Sequence, residues 1–60
     1  MEHLTILDFS TGEVHIYPIA EDTEIHVSDS ELLKQLGFRE SDCQWMFSGG
    51  EITLHNRIIK

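Results

Sequence analysis

The feature that most constrains this fold is one short helix with strand patterns on both sides of it. Ser28 precedes Glu31 by three residues, which is the spacing of an N-terminal capping box. A stripe of three leucines follows, at Leu32, Leu33 and Leu36. Gly37 then supplies the residue type that most often ends helices. These signals predict a helix over about 29–36 with a single apolar side.

Two strands are predicted before the helix, over residues 3–9 and 13–19, because both are rich in β-branched and aromatic residues. The three residues between them end in Gly12 and suit a hairpin loop in which the glycine takes a positive φ. This loop pairs Ile6 with Ile16. It is the preferred register because it groups four aliphatic residues on one sheet face: Leu4, Ile6, Val14 and Ile16.

A second register for this hairpin stays open. A four-residue loop starting at Phe9, with the Asp8 carboxylate bonding the turn backbone, shifts the pairing by one residue. Because side chains alternate between the two faces of a strand, that shift turns the first strand over relative to the second. The residues that point away from the helix therefore depend on the length of this loop.

The most regular pattern follows the helix, where residues 43–48 and 51–56 flank Gly49-Gly50. Two adjacent glycines suit the type I′ or II′ turn of a tight hairpin. Counting back from this turn places five residues on one face: Cys43, Trp45, Phe47, Ile52 and Leu54. The predicted fold is therefore α+β with the order ββαββ. Two antiparallel hairpins form a four-stranded sheet, and the helix covers one face of it.

Sixty residues are predicted to form a single small domain, 1–60. A domain of this size buries only about 60% of the surface that its unfolded chain exposes. A ligand pocket encloses roughly 300–1,000 Å³, so a full core and a deep substrate cleft do not both fit. We therefore expect a protein that is not an enzyme and that has no cofactor.

Eleven carboxylates against four basic residues give a formal net charge of −7. Phosphate backbones attract Lys and Arg, so this balance argues against a nucleic-acid partner. It disfavours anionic membrane surfaces equally, and no apolar run approaches the roughly 20 residues that span a bilayer. Two interpretations stay open: the charge only maintains solubility, or the protein is an acidic inhibitor that mimics nucleic acid and binds a basic protein such as a nuclease.

Residue types that carry out catalysis or bind metals are present, but they lack the spacing that such sites require. No Gly-x-Ser-x-Gly nucleophile elbow occurs. The four histidines lie on different segments, at His3, His15, His26 and His55. Zinc sites usually show closely spaced ligand pairs, so no catalytic, cofactor or metal site is predicted. The preferred register points His15 and His55 to the same sheet face, which keeps a metal-binding protein as an alternative.

Cys43 is the single cysteine, so an internal disulfide is excluded and a reducing compartment is favoured. The first residues lack the basic and apolar regions of a signal peptide. Both observations predict a cytoplasmic location.

The remaining candidate site is a surface. The sequence places six residues near the sheet face away from the helix: Leu7, Phe9, His15, Tyr17, Met46 and His55. Tyr and Met are enriched at interfaces, and a contiguous apolar patch marks an interaction site. We therefore expect a small protein-interaction domain that binds a protein partner or itself, as a homodimer, through this face or an edge strand. The alternative, in which Phe9 and Tyr17 complete the core, depends on the hairpin register.

Two stretches, Leu7–Tyr17 (LDFSTGEVHIY) and Gly37–Met46 (GFRESDCQWM), resemble segments of small bacterial and mobile-element proteins of unknown function. The resemblance covers about half of the chain. It implies a cytoplasmic bacterial protein, and it implies neither an activity nor any functional residue.

Overall fold

In the computed structural model, which describes all 60 residues, three antiparallel strands form one open sheet and one helix packs on it. Strand β1 spans Glu2–Asp8, β2 spans Glu13–Ile19 and β3 spans Cys43–Gly49. Helix α1 spans Asp29–Gln35, and a 3-10 turn at Glu40–Asp42 leads into β3. The strand order is β2-β1-β3, so the first strand in sequence lies at the centre. No helix in the structure has the length and apolar character needed to cross a membrane.

Helix α1 begins and ends close to the predicted residues. At its start, the Glu31 backbone N–H donates to the Ser28 hydroxyl at 3.2 Å, which stabilises the first turn. At its end, Gly37 takes a φ of 91°, and the Phe38 N–H donates to the Leu33 carbonyl at 2.9 Å. This is a Schellman motif, in which a glycine with positive φ lets the chain turn back on the last helical turn. The sequence signals for this helix are confirmed.

The hydrophobic core lies between α1 and one face of the sheet, which we call the helix face. Four buried side chains form the core: Leu4, Ile6, Leu33 and Cys43. Half-buried side chains surround them: Tyr17, Ile19, Leu32, Phe38 and Trp45. The Trp45 ring N–H donates to the Asp29 carboxylate at 3.2 Å, which joins β3 to the first turn of the helix. The core is small, so few residues hold the helix on the sheet.

The preferred register of the first hairpin is wrong, and the four-residue loop is the one observed. Ile6 lies opposite His15 rather than Ile16, and Asp8 lies opposite Glu13. The Asp8 carboxylate accepts hydrogen bonds from the backbone N–H and the hydroxyl of Ser10, at 2.9 and 2.6 Å. These bonds stabilise the longer loop. The aliphatic residues of β1 and β2 are consequently divided between the two faces of the sheet.

The predicted four-stranded ββαββ sheet is also wrong, because β3 pairs with β1. Trp45 lies opposite Ile6, and Phe47 lies opposite Leu4. These pairs replace the predicted partners in the last part of the chain, and residues 51–60 form no strand. As predicted, Cys43, Trp45 and Phe47 of β3 share one face, which is the helix face. Their strand pairs with β1, however, and not with residues 51–56.

The backbone at the two glycines shows that neither type of tight hairpin turn forms there. Both hairpin turn types require a positive φ at the first of two central residues, which would be Gly49. Only Gly50 has a positive φ, of 75°. Its N–H donates to the Met1 carbonyl at 3.2 Å, which extends the ladder between β1 and β3 by one further residue. The chain therefore continues along β1 where a tight turn would have reversed it.

The molecule is flat and has a large surface for its mass. Its Cα atoms span 43 × 27 × 12 Å, with a radius of gyration of 12.8 Å. A compact domain of this length has a radius of gyration of about 10 Å. The accessible surface is 5024 Å², whereas a monomeric protein of this mass exposes about 4,000 Å². The chain therefore exposes about 1,000 Å² more than a typical monomer of its size.

Candidate protein-interaction face

The sheet face away from α1 is the candidate site, and we call it the open face. Strand pairing and the alternation of side chains assign nine residues to it: His3, Thr5, Leu7, Val14, Ile16, Pro18, Gln44, Met46 and Ser48. None of the nine is Asp, Glu, Lys or Arg, although 25% of the residues in the chain are of these types. Glu51 borders the face at its His3 end. The strands thus present an uncharged surface on a protein of net charge −7.

The open face carries an apolar patch that extends over all three strands. Four apolar side chains on it are between 40% and 54% exposed: Leu7, Val14, Ile16 and Met46. Ile16 and Met46 lie on either side of Thr5, directly opposite it in the two strand pairs. Thr5 is only 6% exposed as a result of its central position. The exposed apolar side chains therefore form one surface around a buried threonine.

The last ten residues, 51–60, partly cover this face, and we call them the C-terminal segment. Ile52, Thr53 and Leu54 line one side of a shallow groove of about 350 Å³. Thr5, Leu7, Val14 and Met46 are among the residues that line the rest of it. Ile52 is half-buried, but Leu54 is 73% exposed and the isoleucines further along are more exposed still. No backbone–backbone hydrogen bond involves any residue of the segment.

Three polar atoms on the open face are buried and have no hydrogen-bond partner. They are Nδ1 of His3, Oγ1 of Thr5 and Oγ of Ser48. His3 and Ser48 lie opposite each other on neighbouring strands, and Thr5 is two residues further along β1. A buried polar atom without a partner destabilises a fold by about 1–3 kcal/mol. The buried polar side chains of the open face are therefore less fully hydrogen-bonded than those of the helix face.

The structure divides the six predicted interface residues between several places. Leu7 and Met46 lie together on the open face. Phe9 is exposed in the hairpin loop, and His55 lies in the C-terminal segment beside Arg57. The two aromatic residues of β2 point the other way, which corrects the expectation for this strand.

His15 and Tyr17 lie on the helix face because the observed register turns β2 over relative to the prediction. Both rings meet Phe38 edge to face, with centroid distances of 4.9 and 6.2 Å. This placement matches the alternative in which Tyr17 helps to complete the core. The same register brings Val14 and Ile16 to the open face, where the preferred prediction did not place them. The Asp8 side chain was the sequence signal that favoured this arrangement.

The two titratable groups whose pKa values are shifted stabilise the fold: Asp8 bonds the hairpin loop, and Cys43 packs in the core. The hydrogen bond from the Ser10 side chain lowers the pKa of Asp8, and bonds from the Ser10 and Thr11 backbone act in the same direction. Burial raises the pKa of the Cys43 thiol, and the charges of Asp8 and Asp42 raise it further. A thiol in this state stays protonated and reacts slowly.

The histidines and carboxylates do not meet in a metal-binding arrangement. No group of three or more His, Cys, Asp or Glu side chains is placed to hold one metal ion. His15 lies on the helix face, so it does not share the open face with His55 as the preferred register required.

Comparisons with protein-family models, curated proteins and solved structures gave no match to this chain. The resemblance to small bacterial and mobile-element proteins therefore stays a prediction.

Proposed function

We propose that this chain is a small protein-interaction domain that binds another protein molecule through the open face of its sheet. The observation that carries the proposal is the uncharged apolar face on a chain of net charge −7. Large exposed apolar surfaces mark binding sites in soluble proteins. Charged residues are also depleted at the centres of protein–protein interfaces, and Met is enriched there.

One further feature supports binding. The chain exposes about 1,000 Å² more than a typical monomer of its mass, and burial against a partner would remove such an excess. A cytoplasmic location and a bacterial origin belong to the same proposal, and the lone buried thiol of Cys43 is compatible with a reducing compartment.

Site-specific photocrosslinking tests the proposal. A benzophenone amino acid placed at Met46 reports contacts of the open face, and the same group at Gln35 is the control on the exposed side of α1. In cells that produce the protein, we expect defined protein adducts from position 46 and none from position 35. Mass spectrometry then identifies the crosslinked chain. Absence of adducts from position 46, or equal adducts from both positions, would contradict the proposal.

A second candidate function, inhibition of a basic protein, is favoured by the location of the carboxylates. Ten of the eleven lie on the helix face, in loops, in α1 or in the 3-10 turn. The acidic surface is therefore separate from the open face. Binding to a cationic nuclease is expected to weaken steeply as NaCl is raised, because salt screens opposite charges. Failure to bind at low salt would remove this candidate. No observation favours metal binding, so it is not proposed.

A further inference from the structure

We infer that the protein covering the open face is a second copy of this chain, and that the C-terminal segment of each copy completes the interface. This inference rests on the proposed function, since it names the partner for the same face. Three observations support it: the charge distribution, the size of the exposed area and the exposure of the segment.

The charge distribution favours a partner with the same kind of face. An uncharged surface offers no attraction to a basic or an acidic partner, whereas two such surfaces pack together without burying a charge. In a two-fold dimer the same patch is used on both copies. Packing two sheets about 10 Å apart keeps the helix faces, with Glu2, Asp8 and Glu13, on the outer sides of the sandwich. Most carboxylates thus stay in water and apart.

The area of the sheet alone is too small for a stable dimer. Three strands of seven residues cover about 14 × 24 Å, or roughly 340 Å² on each copy. Two such faces total about 700 Å², whereas stable interfaces bury about 1,200–2,000 Å². The excess accessible surface is about 1,000 Å² on each copy, or about 2,000 Å² for two copies, which is the upper end of the range for stable interfaces. Surface outside the strands must therefore take part.

The C-terminal segment supplies that surface. Leu54, Ile58 and Ile59 are 73–97% exposed, and no backbone hydrogen bond holds the segment in place. Its charge also fits a second copy. It contains Arg57 and Lys60 against Glu51, whereas residues 1–50 contain ten carboxylates and two basic residues. Because no backbone hydrogen bond holds it over the groove, this apolar and slightly basic segment is free to leave the open face and lie against the acidic body of the other copy, so that the two sheets meet directly.

A matched pair of isoleucines provides the test. Ile16 on the open face is 40% exposed, and Ile25 in the loop before α1 is 41% exposed. Sedimentation equilibrium of the purified protein over a concentration series should show a species of twice the 6.9 kDa chain mass. We expect Ile16→Glu to raise the dimer dissociation constant at least tenfold, and Ile25→Glu to leave it unchanged. We expect Leu54→Ser to raise it severalfold through the segment.

A measurement on the unaltered protein guards against variants that fail to fold. In a mixture of ¹³C-labelled and unlabelled chains, isotope-filtered NOEs should join the Met46 methyl of one copy to the Leu7 or Val14 methyls of the other. A monomer at millimolar concentration, or a dimer without these NOEs, overturns the inference. Photocrosslinking from position 46 to a different protein would then leave the proposed function standing, whereas absence of any adduct would remove both.

Discussion

The two faces of one sheet are built from the same strands but differ in what covers them. On the helix face, Leu4 and Ile6 are buried by Leu33 of α1. On the open face, Leu7 and Ile16 stay 43% and 40% exposed, although Leu7 follows the buried Ile6 and Ile16 alternates with the half-buried His15 and Tyr17. Alternation alone therefore does not decide which apolar residues form the core. A single seven-residue helix closes one face, and closing the other requires a second molecule or a longer stretch of chain.

The comparison is tested most strongly by shortening one leucine packed against the helix face, Leu33 of α1, and one on the open face, Leu7. We expect Leu33→Ala to lower the free energy of unfolding by about 2–5 kcal/mol, because it opens a cavity among buried side chains. Leu7→Ala should lower it by less than about 1 kcal/mol, because the side chain is already partly hydrated. Urea denaturation over a series of protein concentrations, which separates unfolding of the chain from dissociation, measures both. Equal losses in the two variants would mean that the open face is part of the core.

A smaller effect of opposite sign is expected at Thr5, which is buried on the open face with an unpartnered hydroxyl. Thr5→Val keeps the shape of the side chain and removes the polar atom, so we expect the protein to become about 1 kcal/mol more stable. Thr23→Val, in the loop before α1, is the exposed control and should change stability by less than about 0.5 kcal/mol. Thermal and urea unfolding measure both variants. A loss of stability in Thr5→Val would show that the hydroxyl is satisfied in solution.

The smallest expected effect concerns the four-residue loop between β1 and β2, which fixes which residues of the two strands share a face. The pKa of Asp8 is lowered in the folded chain, so its contribution to stability is present above the unfolded-state pKa and is lost as pH falls through the folded one. Asp8→Asn should therefore slightly lower the free energy of unfolding at pH 7. It should also reduce the dependence of that free energy on pH below the ordinary aspartate pKa of 3.8. Urea denaturation from pH 2 to 7 measures this. An unchanged acid limb in the variant would contradict the role of the carboxylate.

Local signals in the sequence predicted the helix and all three strands of the structure, together with a fourth strand that does not form. The cap at Ser28 and the stop at Gly37 depend on neighbouring residues only, so they could be predicted from the sequence. The hairpin register could not be decided in the same way. Two loops differing by one residue were both compatible with Gly12, and the choice depended on a hydrogen bond from Ser10 to Asp8.

Strand pairing was the larger error, and its cause is physical. The apolar pattern of β3 is compatible with two partners, because Trp45 and Phe47 can face either residues 51–56 or the apolar side of β1. The adjacent glycines favoured the local partner. The structure uses the distant one, which brings Cys43 and Trp45 beside Leu33 and so builds the core. The candidate site followed these two errors: Leu7 and Met46 were placed correctly, and the residues of β2 were not.

The central position of the first strand has a consequence for how the chain acquires its structure. β2 follows β1 after a short loop, so this hairpin can form within microseconds. β3 must reach the other side of β1 across more than 30 intervening residues, so its docking is expected to be the slow step. Until then β1 has one bare edge, which is open to pairing with foreign strands. A nascent or freshly diluted chain should therefore be most prone to aggregate in the interval before β3 docks.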